Sequence, residues 1–333
     1  MTFADRGSTQ GQIDLPRSVG HTAAMTWELV VLGTASQAPT RYRNHNGYLL
    51  RAGDEGLLFD PGEGTQRQMT FHGVAASSIT RICVTHLHGD HCLGLPGVIQ
   101  RLALDRVARR VPLYHPASGA AYIDRLRRAS IFDDVTDVVP VPVFQAREID
   151  RTDQLMLTAR PLRHRVDSVG YRIEEAPHVN FDADALRALG ITGPDVGHLR
   201  REGTLVHQGR EVRLEDVSVT NPGRVFAFVM DTARCDAAVE LARGADLLVC
   251  ESTFLSENAH LAERYKHLTA RPAGEIAAEA GARQLLLTHF SQREPNTARY
   301  VADAAGVFAN VIGAEDGLRV PIPRDRRAGQ AKN

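Results

Sequence analysis

An apolar strand that runs straight into a dense set of metal-type side chains constrains this chain more than any other feature. Ile82-Cys83-Val84-Thr85-His86-Leu87-His88-Gly89-Asp90-His91 places four such residues, His86, His88, Asp90 and His91, within six positions. In an extended chain side chains two apart face the same way, so His86 and His88 can converge on one ion. Gly89 then permits a tight turn that carries Asp90 and His91 towards a second. Imidazole nitrogen with carboxylate oxygen suits Zn²⁺, and a ligand set without cysteine also admits Mn²⁺ or Fe²⁺. A lone histidine is commonly a packed or solvated residue, whereas an HxHxDH cluster capping a strand has no packing explanation.

Four ligands do not complete two sites, and three further residues stand in the same structural position. His164 follows Leu155 to Leu162, Asp231 follows Val225 to Met230, and His289 follows Leu285 to Thr288. Ligands at strand ends on a shared rim are what results when a scaffold gathers a site from distant parts of the chain.

The remaining sequence can supply such a scaffold. A chain of 333 residues buries a large core, and 43% hydrophobic with 24% charged residues describes an ordinary globular protein. Strands are predicted at Trp27 to Gly33, Gly47 to Arg51, Leu57 to Asp60, Val225 to Met230, Asp246 to Cys250 and Gln284 to Thr288. Helices are predicted at Thr65 to Gly73, Leu93 to Leu104, Ala120 to Ala129, Asp236 to Ala242 and Pro272 to Gly281, which makes an α/β protein with buried sheets.

Residues 1–24 are polar, lack an apolar stretch sufficient for a signal peptide or a membrane span, and read as a loose tail; 324–333 read as a frayed end. The domain then occupies 25–323. The four cysteines, Cys83, Cys92, Cys235 and Cys250, form no CxxC pair and fit a reducing, cytoplasmic setting. One stretch breaks the rhythm, about 177–217, which is polar, includes Gly193-Pro194, and by pattern alone reads as a solvated loop.

The formal charge of −1 gives no global field towards a polyanion, so any such partner must meet a local patch. Between 101 and 128, seven arginines face two aspartates, an excess that an RNA site or a solvated helix face explains about equally well. The segment Arg41-Tyr42-Arg43 offers charge and a ring that could hold a backbone and stack on a base.

From Leu29 to Pro323 the chain resembles ribonuclease Z, the family of transfer-RNA 3′-processing endonucleases with the metallo-β-lactamase fold. The resemblance rests on Leu32-Gly33-Thr34, Pro39 to Asn44, Phe59-Asp60-Pro61-Gly62-Glu63-Gly64-Thr65-Gln66, the HxHxDH segment, His164 with Gly170-Tyr171, Asp231-Thr232, Glu251 to Phe254, His267 with Thr269, and Thr288-His289-Phe290-Ser291. HxHxDH alone is common to the whole superfamily; the Gly-Glu-Gly-Thr-Gln run, the Pro39 to Asn44 loop and the Gly193-Pro194 insert narrow the match.

What the resemblance implies is an αββα sandwich with a projecting substrate-binding arm at about 177–217, assembled as a homodimer. It implies two Zn²⁺ per subunit, one held by His86, His88 and His164 and one by Asp90, His91 and His289, with Asp231 bridging them. It further implies removal of the 3′ trailer of precursor tRNA by water attack on a phosphodiester, leaving a 3′-hydroxyl. Asp90 and His267 would be catalytic, with His267 as general acid or phosphate-orienting group unless it merely caps a helix start. Asp60 would orient a ligating histidine; Glu251 would do the same or simply end its strand. Arg41, Tyr42, Arg43, Gly193 and Pro194 would touch RNA.

Two positions depart from the family pattern. Met230 stands where glycine is common before the bridging aspartate, and Glu294 where an aromatic residue is usual. A phosphodiesterase or sulfatase-like hydrolase of small esters would share all seven ligands and need no arm.

Overall fold

Alternating burial along Trp27–Gly33 and Gly47–Ala52 shows how the molecule is layered. Leu29, Val31, Tyr48 and Leu50 face one apolar cluster, while Val30, Leu32 and Leu49 face another. A strand buried on both faces belongs to a sheet covered on both sides. The computed structural model describes residues 26–324, so both predicted tails lie outside the described residues, apart from Arg324, which is anchored on Glu175.

Two seven-stranded sheets pack face to face. The first runs in the order Arg319–Ile322, Trp27–Gly33, Gly47–Ala52, Glu55–Phe59, Arg81–Cys83, Arg110–Pro116, Asp137–Val143. The second runs Val311–Gly313, Leu285–Thr288, Leu247–Glu251, Val225–Val229, Ser168–Glu175, Leu155–Leu162, Arg147–Arg151. Phe59 from the first sheet meets Phe226 and Phe228 from the second at 5.6 and 4.7 Å between ring centroids. Burying each such ring is worth roughly 1.5–3 kcal/mol. The outer faces carry helices whose apolar residues recur at helical spacing: Leu95–Leu104 buries Leu95, Val98, Ile99, Leu102 and Ala103, and Ala270–Ala280 buries Ala273, Ile276, Ala277 and Ala280. The result is the αββα sandwich.

Strand direction places the site. Val225–Val229, Leu247–Glu251 and Leu285–Thr288 are parallel, as are Glu55–Phe59 and Arg81–Cys83. Their C-terminal ends therefore open on one rim, where Asp231, Glu251, His289, Asp60 and His86 sit. Asp60, Asp231 and His289 all adopt positive φ, at 43°, 35° and 61°. Left-handed backbone at non-glycine residues stores on the order of 1–3 kcal/mol each and is held only where surrounding contacts fix it. A Cβ at Gly94 would lie 1.9 Å from the Gly62 carbonyl oxygen, so glycine there is what lets the loop after Asp60 close onto the HxHxDH segment.

Two expectations change here. Gly89 does not make a glycine-specific turn: it opens the short helix Gly89–Cys92, and that helical turn swings Asp90 and His91 round. The 177–217 span is not a solvated loop. It pairs His178–Phe181 with Ser218–Asn221 at its base and folds Ala183–Ala188, Pro194–Glu202 and the Thr204–His207/Arg210–Arg213 hairpin over a small core of Ile191, Leu199, Val212 and Val217. Among the described residues no helix is long and apolar enough to cross a membrane.

Candidate metal centre

His86 and His88, extended and two apart, bring Nε2 and Nδ1 to 2.9 Å. Asp231 reaches them from the second sheet, its Oδ2 lying 3.4 Å from His86 Nε2 and 3.7 Å from His164 Nε2. Its other oxygen turns the opposite way, 3.4 Å from His91 Nε2 and 3.2 Å from His289 Nε2. Asp90 Oδ2 completes that side at 3.5 Å from His91 Nε2 and 3.4 Å from His289 Nε2. The potential ligand atoms of His86, His88, His164 and Asp231 all lie within 4.8 Å of one another, and so do those of Asp90, His91 and His289. All seven predicted ligands thus meet at one rim.

The donor set fits divalent cations. Nitrogens of neighbouring imidazoles approach to 2.9 and 3.2 Å, where two lone pairs repel unless a cation or proton lies between them. His164 Nε2 and Asp231 Oδ1 are buried without a hydrogen-bond partner, although groups of this kind are nearly always satisfied. Burial opposes ionisation of Asp231, yet the surrounding histidines, His289 and His91 foremost, hold its carboxyl well below the usual range. Burial together with the charge on His91 depresses His86 to about 3, leaving a neutral imidazole able to ligate.

A carboxylate at a strand end in each sheet orients these ligands. Asp60 lies with Oδ2 2.8 Å from His91 Nδ1 and accepts from the Thr85 hydroxyl at 2.7 Å, while Thr85 Oγ1 is 3.1 Å from His86 Nδ1. In the other sheet Glu251 accepts from Thr253 Oγ1 at 2.6 Å, and that hydroxyl lies 2.8 Å from His289 Nδ1. Glu251 also accepts from the Thr232 N–H, next to Asp231, at 2.6 Å. Both carboxylates are fully buried. Such partners fix tautomer and ring orientation.

His267 enters from the turn after Ala259–Tyr265. Its Nδ1 lies 3.1 Å from both Glu251 oxygens and 3.9 Å from Asp231 Oδ2, leaving Nε2 for whatever fills the cavity. Burial disfavours its charge, but Glu251 and Asp231 outweigh burial and lift its pKa to about 9. The cavity holds about 550 Å³, with His88, Asp90, His164, Asp231, His267 and His289 in its lining.

Other expected residues fall elsewhere. Arg43 is turned inward and buried: its guanidinium donates to the carbonyls of Glu294 and Pro295 at 3.0 and 2.8 Å and sits 4.9 Å from the Phe290 ring centroid, so it ties the loop down. Arg41 and Tyr42 are exposed, but neither lines the cavity. Gly193 and Pro194 lie in the 177–217 excursion. Three of the seven arginines of the basic stretch are ion-paired, Arg101 with Asp105, Arg128 with Asp124 and Arg127 with Asp134. Met230 is fully buried in the core, and Glu294 closes a turn by accepting from the Asn296 N–H at 2.8 Å.

Sequence reasoning gave no role to Thr85 or Thr253, whose one signal is adjacency to a ligand or to Glu251. The Lys266 carbonyl, 3.0 Å from His164 Nδ1, has no sequence signal, because any residue supplies it.

Comparison with known proteins agrees with this geometry. A family profile described as the metallo-beta-lactamase superfamily matches residues 40–214, and one described as a beta-lactamase superfamily domain matches 189–290. The chain is 54% identical to the ribonuclease Z of Nocardia farcinica, over 90% of this chain and 99% of that one. It is 52% identical to that of Thermobifida fusca, over 91% and 97%. The crystal structure of the short form of human tRNase Z superposes with a TM-score of 0.67 at 25% identity, over 89% of this chain and 99% of that one. With this similarity running nearly end to end in both directions, the chain belongs to the ribonuclease Z family of the metallo-beta-lactamase superfamily.

Proposed function

We propose that this protein is a two-zinc endoribonuclease that removes the 3′ trailer of precursor tRNA. One observation carries the reading: the two oxygens of Asp231 divide between two separate groups of imidazoles, an arrangement suited to a pair of ions and wasteful for one. His86, His88 and His164 would hold the first ion, Asp90, His91 and His289 the second, and Asp231 both. Divalent ions bound there supply Lewis acidity towards a phosphodiester and make water nucleophilic near neutral pH. Five imidazoles and two carboxylates suit Zn²⁺.

The chain's own residues do the rest. Asp60 and Glu251 keep the ligating rings in place. His267, protonated through its ion pair with Glu251, gives a proton to the departing 3′ oxygen, so that the tRNA leaves with a 3′-hydroxyl and the trailer with a 5′-phosphate. The folded 177–217 unit is the arm that grips tRNA away from the cavity. It carries five arginines against seven acidic residues, so its grip relies on local features such as the Gly193-Pro194 helix start rather than on net charge. The four unpaired cysteines support a cytoplasmic setting; a homodimer rests on the family resemblance.

Incubation with a 3′-extended precursor tRNA tests the assignment, with one specific cut at the mature 3′ end expected. Turnover of bis(p-nitrophenyl) phosphate without precursor cleavage would instead favour a small-ester hydrolase. Removing 182–217 while keeping the paired base strands should lower kcat/KM for precursor tRNA about a hundredfold, the scale of losing a second linked binding site. Hydrolysis of the small ester should fall far less, and equal loss of both would contradict the arm assignment.

A further inference from the structure

The cavity is lined by more than the ligand rim: Val166, Phe254, Leu261 and Tyr265 give it apolar surface as well. Holding ions requires no such surface. Tyr265 ends the helix Ala259–Tyr265, and Lys266 follows at φ 60°. That turn brings the Lys266 carbonyl to His164 and His267 to Glu251, so it also fixes Tyr265 relative to the reacting centre. Phe254 lies 6.1 Å from the His267 ring, centroid to centroid.

Arg165, next to the proposed ligand His164, and Arg264 both lie within cation–π reach of Tyr265, at 5.8 and 5.4 Å from the ring centroid. Arg293 also lines the cavity. Among the described residues neither Arg165 nor Arg293 is paired with a carboxylate, whereas nearby Arg299 pairs with Glu257 and Glu294 and Arg271 with Glu275. Two uncompensated cations and aromatic side chains lining one cavity match the alternating phosphates and bases of a single strand.

We infer that Tyr265, with Arg165 above it, is the stacking subsite for the base of the nucleotide immediately 5′ of the cut, and that Arg165 holds an adjoining phosphate. The inference rests on the endonuclease reading, and the reaction's chemistry selects the flank: the oxygen that His267 protonates is the 3′ oxygen of that nucleotide, so its base lies on the His267 side. Stacking on a ring tolerates any base, as a cut at a position of variable identity requires.

The test compares an intact precursor tRNA with one that is abasic at that nucleotide. Wild-type enzyme should show about a tenfold higher KM for the abasic substrate, the scale of one base–aromatic contact. Tyr265→Ala should raise KM for the intact substrate by a similar factor and make the two substrates equivalent, while Tyr265→Phe should behave as wild type. Arg165→Ala should shallow the dependence of log KM on log salt by roughly the slope of one phosphate contact. An abasic penalty that persists in Tyr265→Ala, or that is absent from wild type, would overturn the inference while leaving the endonuclease reading intact. Failure of wild type to cut the intact precursor would overturn both.

Discussion

Asp231→Asn is expected to lose at least one bound metal and to lower kcat/KM for precursor tRNA on the order of a thousandfold. The substitution keeps shape and removes charge. It leaves His86, His91, His164 and His289 converging on a group that no longer attracts cations from either side. Removing one partner from a buried charge arrangement costs about 3–5 kcal/mol, which as lost affinity is a factor of roughly 10²–10³ or more. Metal analysis after dialysis, beside steady-state kinetics and circular dichroism to verify folding, reads the outcome. A folded Asp231→Asn protein with full metal content and near-normal turnover would show that the aspartate bridges nothing.

His267→Gln should spare metal content yet depress kcat for precursor tRNA by about 10²–10⁴-fold, the range for a missing general acid. Glutamine can still donate to Glu251 and so limits the penalty of stranding a buried carboxylate. The leaving group makes this diagnostic. A ribose 3′ oxygen needs a proton as it departs, whereas p-nitrophenolate does not, so bis(p-nitrophenyl) phosphate hydrolysis should fall far less. Equal losses on both substrates would assign His267 to orienting the phosphate instead.

That the seven candidate ligands gather at one rim was legible in the sequence, because the HxHxDH segment, His164, Asp231 and His289 each follow an apolar run and the strands bring those ends together. Asp60 and Glu251 stand at strand ends in the same way, but the hydroxyl relays through Thr85 and Thr253 were not legible, since a threonine before a histidine or two residues after a glutamate is ordinary until the fold aims it. The inward turn of Arg43 was not legible: whether an arginine on an exposed loop faces solvent or the protein's own carbonyls depends on residues 294–297, some 250 positions away. The order of the 177–217 excursion escaped pattern reading because Ile191, Leu199, Val212 and Val217 follow neither helical nor strand spacing. They become a core only when two helices and a hairpin close together.

The shared centre itself is tested most directly by stripping the full-length protein of metal and titrating Zn²⁺ back while following both bound metal and precursor cleavage. Two ions per chain are expected, with cleavage returning as the second binds, and His88→Ala should bind fewer and stay inactive. Full activity at one ion per chain, or two ions retained by an active His88→Ala enzyme, would contradict a pair of cations held across Asp231.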